Sequence, residues 1–281
     1  MQSPSPRSGA LEPPLEDDVA PIGAGDDGFT TVAQRTYDLL RQALLNGEFL
    51  PGQSISLRSA ADALGISQMP VRQALSRLQA EGILVMHENR TLTVPKMTPA
   101  LILETRDIRI ALEGLAAELA AHRATAQDVA ELKARFGQMQ QAVHSTDVRR
   151  YIAVNLKFHM GIYGAAGAPT LLSMIETLWA KFAAYSRWAN TELAMGTLNN
   201  HARALEGMAR RDAIMVRSAI VQDCCDSCEI QLRLLAEHQS EDTGDGGSAI
   251  SPDAANREPV KGSLGSLVAP RRRGRPRKLT A

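Results

Sequence analysis

The sequence predicts a mainly α protein: three short helices with a small β-wing near the N-terminus, then an all-α helical bundle. Three observations carry this. Glycine and serine punctuate residues 47–82 at short-helix intervals. Two β-prone runs, 83–86 and 92–94, flank the polar stretch His87-Glu88-Asn89-Arg90-Thr91. No strand pattern follows Val94, where segments rich in Leu and Ala repeat with helical spacing.

The first helix is expected over 31–46, with Val32, Tyr37, Leu39, Leu40, Ala43 and Leu44 on its apolar face and Gly47 as its stop. Pro51-Gly52 is a turn. Ser56 is placed to cap a helix over 57–64, which Gly65 ends. Ser67 is placed to cap a third helix over 68–81. Its Pro70 falls in the first turn, where a missing N–H removes no intrahelical bond. Beyond the wing, helices are expected over 98–122, 125–144 (with Thr125 and Asp128 as a capping box), 146–164 (capped by Thr146), 169–194, 196–210 and 211–237.

Length and composition suggest two folded domains, 30–96 and 98–238. Residues 1–29 read as a disordered acidic segment and 239–268 as a disordered linker, since neither can bury enough apolar surface to offset ordering. The formal net charge is zero. That sum hides an acidic head (Glu12, Glu16, Asp17, Asp18, Asp26 and Asp27 against Arg7) and a basic tail, 269–281. Three cysteines, Cys224, Cys225 and Cys228, are clustered and odd in number, which excludes a disulfide framework and points to a reducing compartment. No signal-peptide pattern or membrane-length apolar run is present, so a cytoplasmic protein without membrane attachment is expected.

Two short helices joined by Gly65-Ile66-Ser67 fit a helix-turn-helix. Val71, Ala74, Leu75 and Leu78 would pack on Leu57, Ala61 and Leu64, leaving Gln68, Arg72, Gln73 and Ser76 on the opposite face. Polar side chains in the first turns of a second helix can reach base edges in the major groove: Arg72 suits guanine and Gln68 suits adenine. Arg58 suits a phosphate or a guanine. Arg90, at the hairpin tip, suits the adjacent backbone or minor groove. Taken singly, each arginine reads more readily as a solvated surface charge; helix, turn, helix and wing together argue for double-stranded DNA.

The stretch 32–94 resembles the winged helix-turn-helix of GntR-type bacterial transcription regulators. The resemblance rests on Leu50-Pro51-Gly52, Leu57-Arg58, the run from Ala60 to Ser67, Pro70-Val71-Arg72-Gln73-Ala74-Leu75 and the run from Leu78 to Leu84. It implies operator contacts at Arg58, Ser67, Gln68 and Arg72. Two departures stand out: Gln68 occupies a position that often carries Arg, and Asn89-Arg90-Thr91 replaces a common Asn-Arg-Gly.

The helical region resembles the FCD (FadR-like) effector domain of that family, through Arg109-Ile110-Ala111-Leu112-Glu113 and Asn155-Leu156-Lys157-Phe158-His159. Asn155 and His159, at i and i+4, project from one helix face, and a later helix offers His201. The resemblance implies a carboxylate and three histidines that often hold a divalent metal, which helps bind a small carboxylate metabolite. Here that set becomes Asn155, His159, His201 and Asp223, with amide and carboxylate exchanged. Such a set suits Zn²⁺, Ni²⁺ or Mn²⁺. The other reading is a metal-free pocket in which His159 and His201 bond the effector directly. Arg109 either meets an anionic effector or pairs with Glu113 one turn away. Tyr185, Arg187 and Trp188 read as pocket lining or as packing. The cysteines read as structural thiols, or as a redox or metal sensor.

In the tail, Arg273-Gly274-Arg275-Pro276 within a basic run resembles an AT-hook, a short arm for the minor groove of A·T-rich DNA. Gly274 permits close backbone approach, Pro276 keeps the arm extended, and narrow A·T grooves attract arginine. A generic basic tail is the alternative. A linker of roughly 30 residues spans about 30 Å as a coil.

These features together predict a nucleoid-associated, ligand-responsive regulator, more often a repressor, reading a palindromic operator as a homodimer. An architectural protein of A·T-rich DNA, using winged domain and hook, is the rival. A metal-dependent enzyme is disfavoured because no nucleophile and base accompany the histidines.

Overall fold

The computed structural model describes residues 31–88, 90–186 and 191–243. The acidic segment 1–29 and the hook-like 269–281 lie outside those residues.

Helix α1, Val32–Leu45, starts at Thr31, whose hydroxyl accepts from Gln34 N at 3.2 Å. Its buried face carries Tyr37, Leu40, Ala43 and Leu44, the spacing read from sequence. Helix α2, Leu57–Leu64, is capped by Ser56, and Gly65 closes it at φ +64°, a left-handed conformation that a side chain would oppose. Helix α3, Gln68–Ala80, follows after three residues, Gly65, Ile66 and Ser67. Val71, Ala74, Leu75 and Leu78 are buried on it and share one apolar cluster with Leu40, Leu44, Phe49 and Ala61. Tyr37 Oη donates to Glu81 at 2.6 Å, and Arg77 lies over the Tyr37 ring at 3.8 Å, tying α3 to α1.

The wing is a three-stranded antiparallel sheet of order β1-β3-β2, from Ser54–Ile55 (β1), Val85–Met86 (β2) and Leu92–Thr93 (β3). Register places Ser54 opposite Thr93 on one side of β3 and Met86 opposite Leu92 on the other. The expected hairpin strands are present but shorter, and β1 is a strand the sequence reading missed. Arg90 holds the tip at φ +61°, so the turn's left-handed residue precedes Thr91, where the family's usual glycine would stand.

The second region comprises α4 (Pro99–Arg123), α5 (Ala126–His144), α6 (Val148–Ala165), α7 (Pro169–Ser186), α8 (Thr191–Arg210) and α9 (Ala213–Thr243). Among the described residues it contains no strand. Ala116, Ala117, Ala120 and Ala121 are buried along α4, and α4 packs along α9 across this small-residue face. Thr125 and Asp128 form the expected reciprocal capping box.

Three boundaries differ from expectation. The cap of α6 is Asp147, which accepts from Arg150 N at 3.0 Å, because Thr146 takes φ +56° and turns the chain instead. The helix expected over 169–194 is described as α7 to Ser186 and as the start of α8 from Thr191, with 187–190 outside the described residues. Helix α9 continues to Thr243, the last described residue and past the domain end read at 238; Glu237 and Glu241 are good helix formers. No helix among the described residues is long and apolar enough to cross a membrane.

The two regions share apolar packing. Leu156 of α6 and Ala180 of α7 are buried within the winged domain's own cluster, with Met160 and Trp179 against it. Arg41 of α1 pairs with Glu176 of α7 at 3.0 Å.

Candidate nucleic-acid interface and effector pocket

The packing of α3 decides which of its residues face outward. Burial of its apolar stripe leaves Gln68, Arg72, Gln73 and Ser76 exposed, with Ser67 exposed just before them. Ser67 occupies the N-cap position yet makes no side-chain capping bond, so its hydroxyl is open to an outside partner. Arg58 is 84% exposed, with Asp62 3.8 Å away as a loose partner. Arg90 is exposed at the wing tip. These residues occupy one side of the domain's sequence order: the start of α2, the start of α3 and the wing. The sequence reading passed over Met69, 63% exposed in the first turn of α3, and Met86, 46% exposed on β2. An exposed methionine beside polar base readers is a suitable contact for a thymine methyl.

The bundle interior has the opposite character. His159 of α6, His201 of α8 and Asp223 of α9 are all at least 95% buried and bring one donor atom each within 4.8 Å of one another. His159 Nε2 and His201 Nε2 face each other at 2.9 Å, with Asp223 oxygens 3.5 and 3.6 Å away. Burial, the neighbouring His201 and Arg109 together hold His159 well below the usual imidazole range. Burial lowers His201 to about 4, and it raises Asp223 to about 7. Both imidazoles are therefore neutral, the form that ligates metal.

The donor set fits a divalent ion. Metal-bound imidazole nitrogens sit about 2.0–2.1 Å from zinc, which brings two such ligands to roughly 3 Å from each other. Asp223 Oδ1 and Asn155 Oδ1 are buried without a hydrogen-bond partner. Unpaired buried oxygens are costly, and a cation would satisfy them. Asn155 and Asp223 both line a cleft of about 90 Å³, partly open to solvent, together with Arg109, Tyr151, Trp179 and Gln231. One wall is Leu45, from α1 of the winged domain.

Arg109 makes the expected pair with Glu113 one turn away. Its Nε donates to Glu113 at 2.6 Å, and the same side chain lines the cleft. Glu113 is the feature the sequence reading undervalued. It is fully buried and accepts from Arg109, from Tyr163 Oη at 2.5 Å and from Trp179 Nε1 at 2.9 Å. Tyr163 in turn lies 3.0 Å from His159 Nδ1. The i, i+4 spacing of Arg109 and Glu113 and of His159 and Tyr163 was visible, but their meeting across α4 and α6 was not.

Cys224 and Cys228 are buried free thiols and Cys225 is half-buried. Burial pushes the Cys224 thiol well up, and Cys228 up as well. A protonated buried thiol is a poor nucleophile, which favours the structural reading. Cys224 Sγ approaches Glu113 at 3.8 Å and is not among the cluster's donors. The side chains of Tyr185, Arg187 and Trp188 lie outside the described residues.

Comparison with known proteins agrees with this layout. Residues 32–94 match the family described as bacterial regulatory proteins, gntR family, and residues 104–223 match the FCD domain. The HTH-type transcriptional regulator McbR of Escherichia coli K12 is 33% identical over 159 residues, covering 57% of this chain and 72% of the relative. A regulator of Bacillus subtilis, YdhC, is 24% identical over 72% of this chain and 91% of its own length. The solved structure of E. coli McbR/YncC superposes with a TM-score of 0.69 at 27% identity, covering 74% of this chain and all of that one. A GntR regulator of Rhodococcus sp. RHA1, at 19% identity and a TM-score of 0.56, shares the fold. These relatives are regulators rather than enzymes, and they lend no support to a purely architectural DNA-binding role. The chain belongs to the GntR family of bacterial transcription regulators and carries the family's FCD domain.

Proposed function

We propose that this regulator is a cytoplasmic, effector-responsive repressor that binds a two-fold operator as a homodimer and is released by a small carboxylate metabolite. The observation that carries this reading is the shared wall: Leu45 of the DNA-reading domain lines the same cleft as Asp223, which clusters with the buried His159 and His201. An occupant of that cleft presses on α1, which packs on α3 and bonds it through Tyr37–Glu81 and Arg77–Gln34. Differential affinity for two placements of α1 is what a switch requires.

On the DNA side, Arg58, Ser67, Gln68 and Arg72 are assigned to the major groove and its flanking phosphates, and Arg90 to the adjacent groove. On the effector side, His159, His201, Asp223 and Asn155 would hold one Zn²⁺, Ni²⁺ or Mn²⁺. The ion supplies a Lewis-acid position for a carboxylate oxygen. The chain's own groups do the rest: Arg109 borders the cleft with its cation, and Ile152, Leu156, Trp179 and Phe182 enclose the apolar part of a ligand. Support for a homodimer comes from Leu103, Ile108 and Leu115, each about 40% exposed along α4. The hook-like Arg273-Gly274-Arg275-Pro276 is assigned to A·T-rich minor groove beside the operator, adding affinity through effective concentration, and a nucleoid location goes with it.

The deciding experiment is a footprint of the full chain on its own promoter region, with zinc present and a panel of di- and tricarboxylates added. Protection of one palindrome, lost on adding one carboxylate and retained with His159→Ala, is expected. Uniform protection of A·T-rich DNA, unresponsive to every acid, would overturn the reading.

A further inference from the structure

We propose that Tyr163 and Glu113 are positioning residues that hold His159 in its Nδ1–H tautomer and so present a bare Nε2 to His201 and Asp223. The consequence for metal rests on the function proposed above; the tautomer is a property of the chain alone.

The argument is a proton count. Glu113 has no exposed surface, and the groups bonded to it are donors: Arg109 Nε at 2.6 Å and Nη2 at 3.3 Å, Trp179 Nε1 at 2.9 Å, the Tyr163 hydroxyl at 2.5 Å and the Cys224 thiol at 3.8 Å. Arg109 and the indole cannot accept, so the carboxylate receives and does not give. A phenol carries one proton. Tyr163 commits it to Glu113 Oε2, and its oxygen can then only accept. The atom 3.0 Å away on its other side is His159 Nδ1, which must therefore carry the hydrogen. A neutral imidazole has one N–H, so Nε2 is left with its lone pair, pointing at His201 Nε2. A hydrogen-bonded partner on the far nitrogen is what fixes tautomer and ring direction in histidine ligands.

The competing state is also visible. With Nδ1 unheld, the proton could move to Nε2 and be accepted by His201 Nε2 at the observed 2.9 Å. That arrangement satisfies two buried nitrogens with each other and leaves no lone pair on His159 Nε2, the nitrogen that faces His201 and Asp223. Tyr163 and Glu113 tilt the choice away from it. The ring has few other positions available: Trp179 packs at 5.0 Å between centroids and Phe158 edge-on at 5.9 Å. Glu113 thus serves three elements at once, holding Arg109 on α4, Trp179 on α7 and, through Tyr163, His159 on α6.

The test uses the full-length protein, dialysed free of metal and labelled with ¹⁵N in histidine. Long-range ¹H–¹⁵N correlation spectra should show His159 as the Nδ1–H tautomer. Tyr163→Phe should shift it toward Nε2–H, with a thermal midpoint near wild type. Glu113→Gln supplies the second arm, since a hydroxyl released from the carboxylate can donate to Nδ1 and drive the same shift. Zinc titration should then show about 10- to 100-fold weaker binding in Tyr163→Phe. An Nε2–H tautomer in the wild type, or an unchanged tautomer in Tyr163→Phe, overturns the proposal, as does zinc binding equal in the two proteins. If wild-type protein takes no zinc yet shows the Nδ1–H tautomer, the metal reading fails and the positioning role stands.

Discussion

The winged domain and the bundle interior use charge in opposite ways. On the winged domain, Arg58, Arg72 and Arg90 are exposed, and Asp62 is placed loosely at 3.8 Å from Arg58. In the bundle, Glu113 is fully buried and pairs at 2.6 Å with Arg109, whose side chain is 13% exposed, with Tyr163 and Trp179 completing the carboxylate's bonds. Exposed cations cost little to keep unpaired and stay available for phosphate and base edges. A buried ion must be matched fully, because its uncompensated form is expensive. The first region can therefore change its partner readily, whereas the second is committed to one arrangement and can report a small change in it.

The sharpest way to test that contrast is to remove one buried partner. Glu113→Leu leaves the Arg109 charge without its carboxylate and frees Tyr163 and Trp179 from their acceptor. Loss of about 3–5 kcal/mol of unfolding free energy is expected, measured by chemical denaturation. A loss below about 1 kcal/mol would mean the interior tolerates an unmatched ion and would break the comparison.

Next in size is the matching change outside. Arg72→Ala should cost about 1–3 kcal/mol of operator binding, the range for one bidentate base contact. Its folding stability should stay within roughly 0.5 kcal/mol of wild type, since the residue is exposed. Mobility-shift titration beside thermal unfolding reads both quantities. Equal losses in each would show that Arg72 supports the fold.

How much of each region was legible in the sequence follows the same division. The DNA-reading surface is local: Ser56, Gly65 and Ser67 bracket α2 and the turn, and the i, i+3, i+4 spacing of Val71, Ala74, Leu75 and Leu78 fixes which side of α3 faces out. Strand β1 escaped because Ser54–Ile55 is too short to show alternation and exists only by pairing with β3. In the bundle, the convergence of His159, His201 and Asp223 was reached only through resemblance to a family, since α6, α8 and α9 are far apart in the chain. Nothing in the sequence ties Glu113 to Tyr163, 50 residues away, or carries Leu45 to the wall of the cleft. Local punctuation can place helix ends; it carries no information on which distant faces will meet.

The junction between α1 and α3 gives a pH-dependent test. Burial and the bond to Glu81 raise Tyr37 to about 12, from an ordinary value of 10.0. The folded state holds this proton more tightly than the unfolded chain. The stabilisation is therefore fully present below pH 10 and is lost as pH rises from there to about 12. Tyr37→Phe should flatten that alkaline decline in thermal stability while lowering stability modestly at neutral pH, where one hydrogen bond is gone. An unchanged alkaline slope would assign the decline to other groups.

The smallest expected effect comes from the loose pair on α2. Arg58 and Asp62 are 84% and 74% exposed, and water screens them at 3.8 Å. Asp62→Asn should move folding stability by less than about 0.5 kcal/mol, the scale of exposed i, i+4 pairs. Its effect on DNA should be larger than its effect on the fold, because an acid beside the incoming phosphates is removed and Arg58 is released to them. Affinity should rise at low salt and converge on wild type as salt increases, since both gains are electrostatic. Arg58 would then be shown to act through its exposure. A stability loss above 1 kcal/mol with no gain in affinity would place the pair in the fold, and would leave Arg72 as the main arginine reader of the two helices.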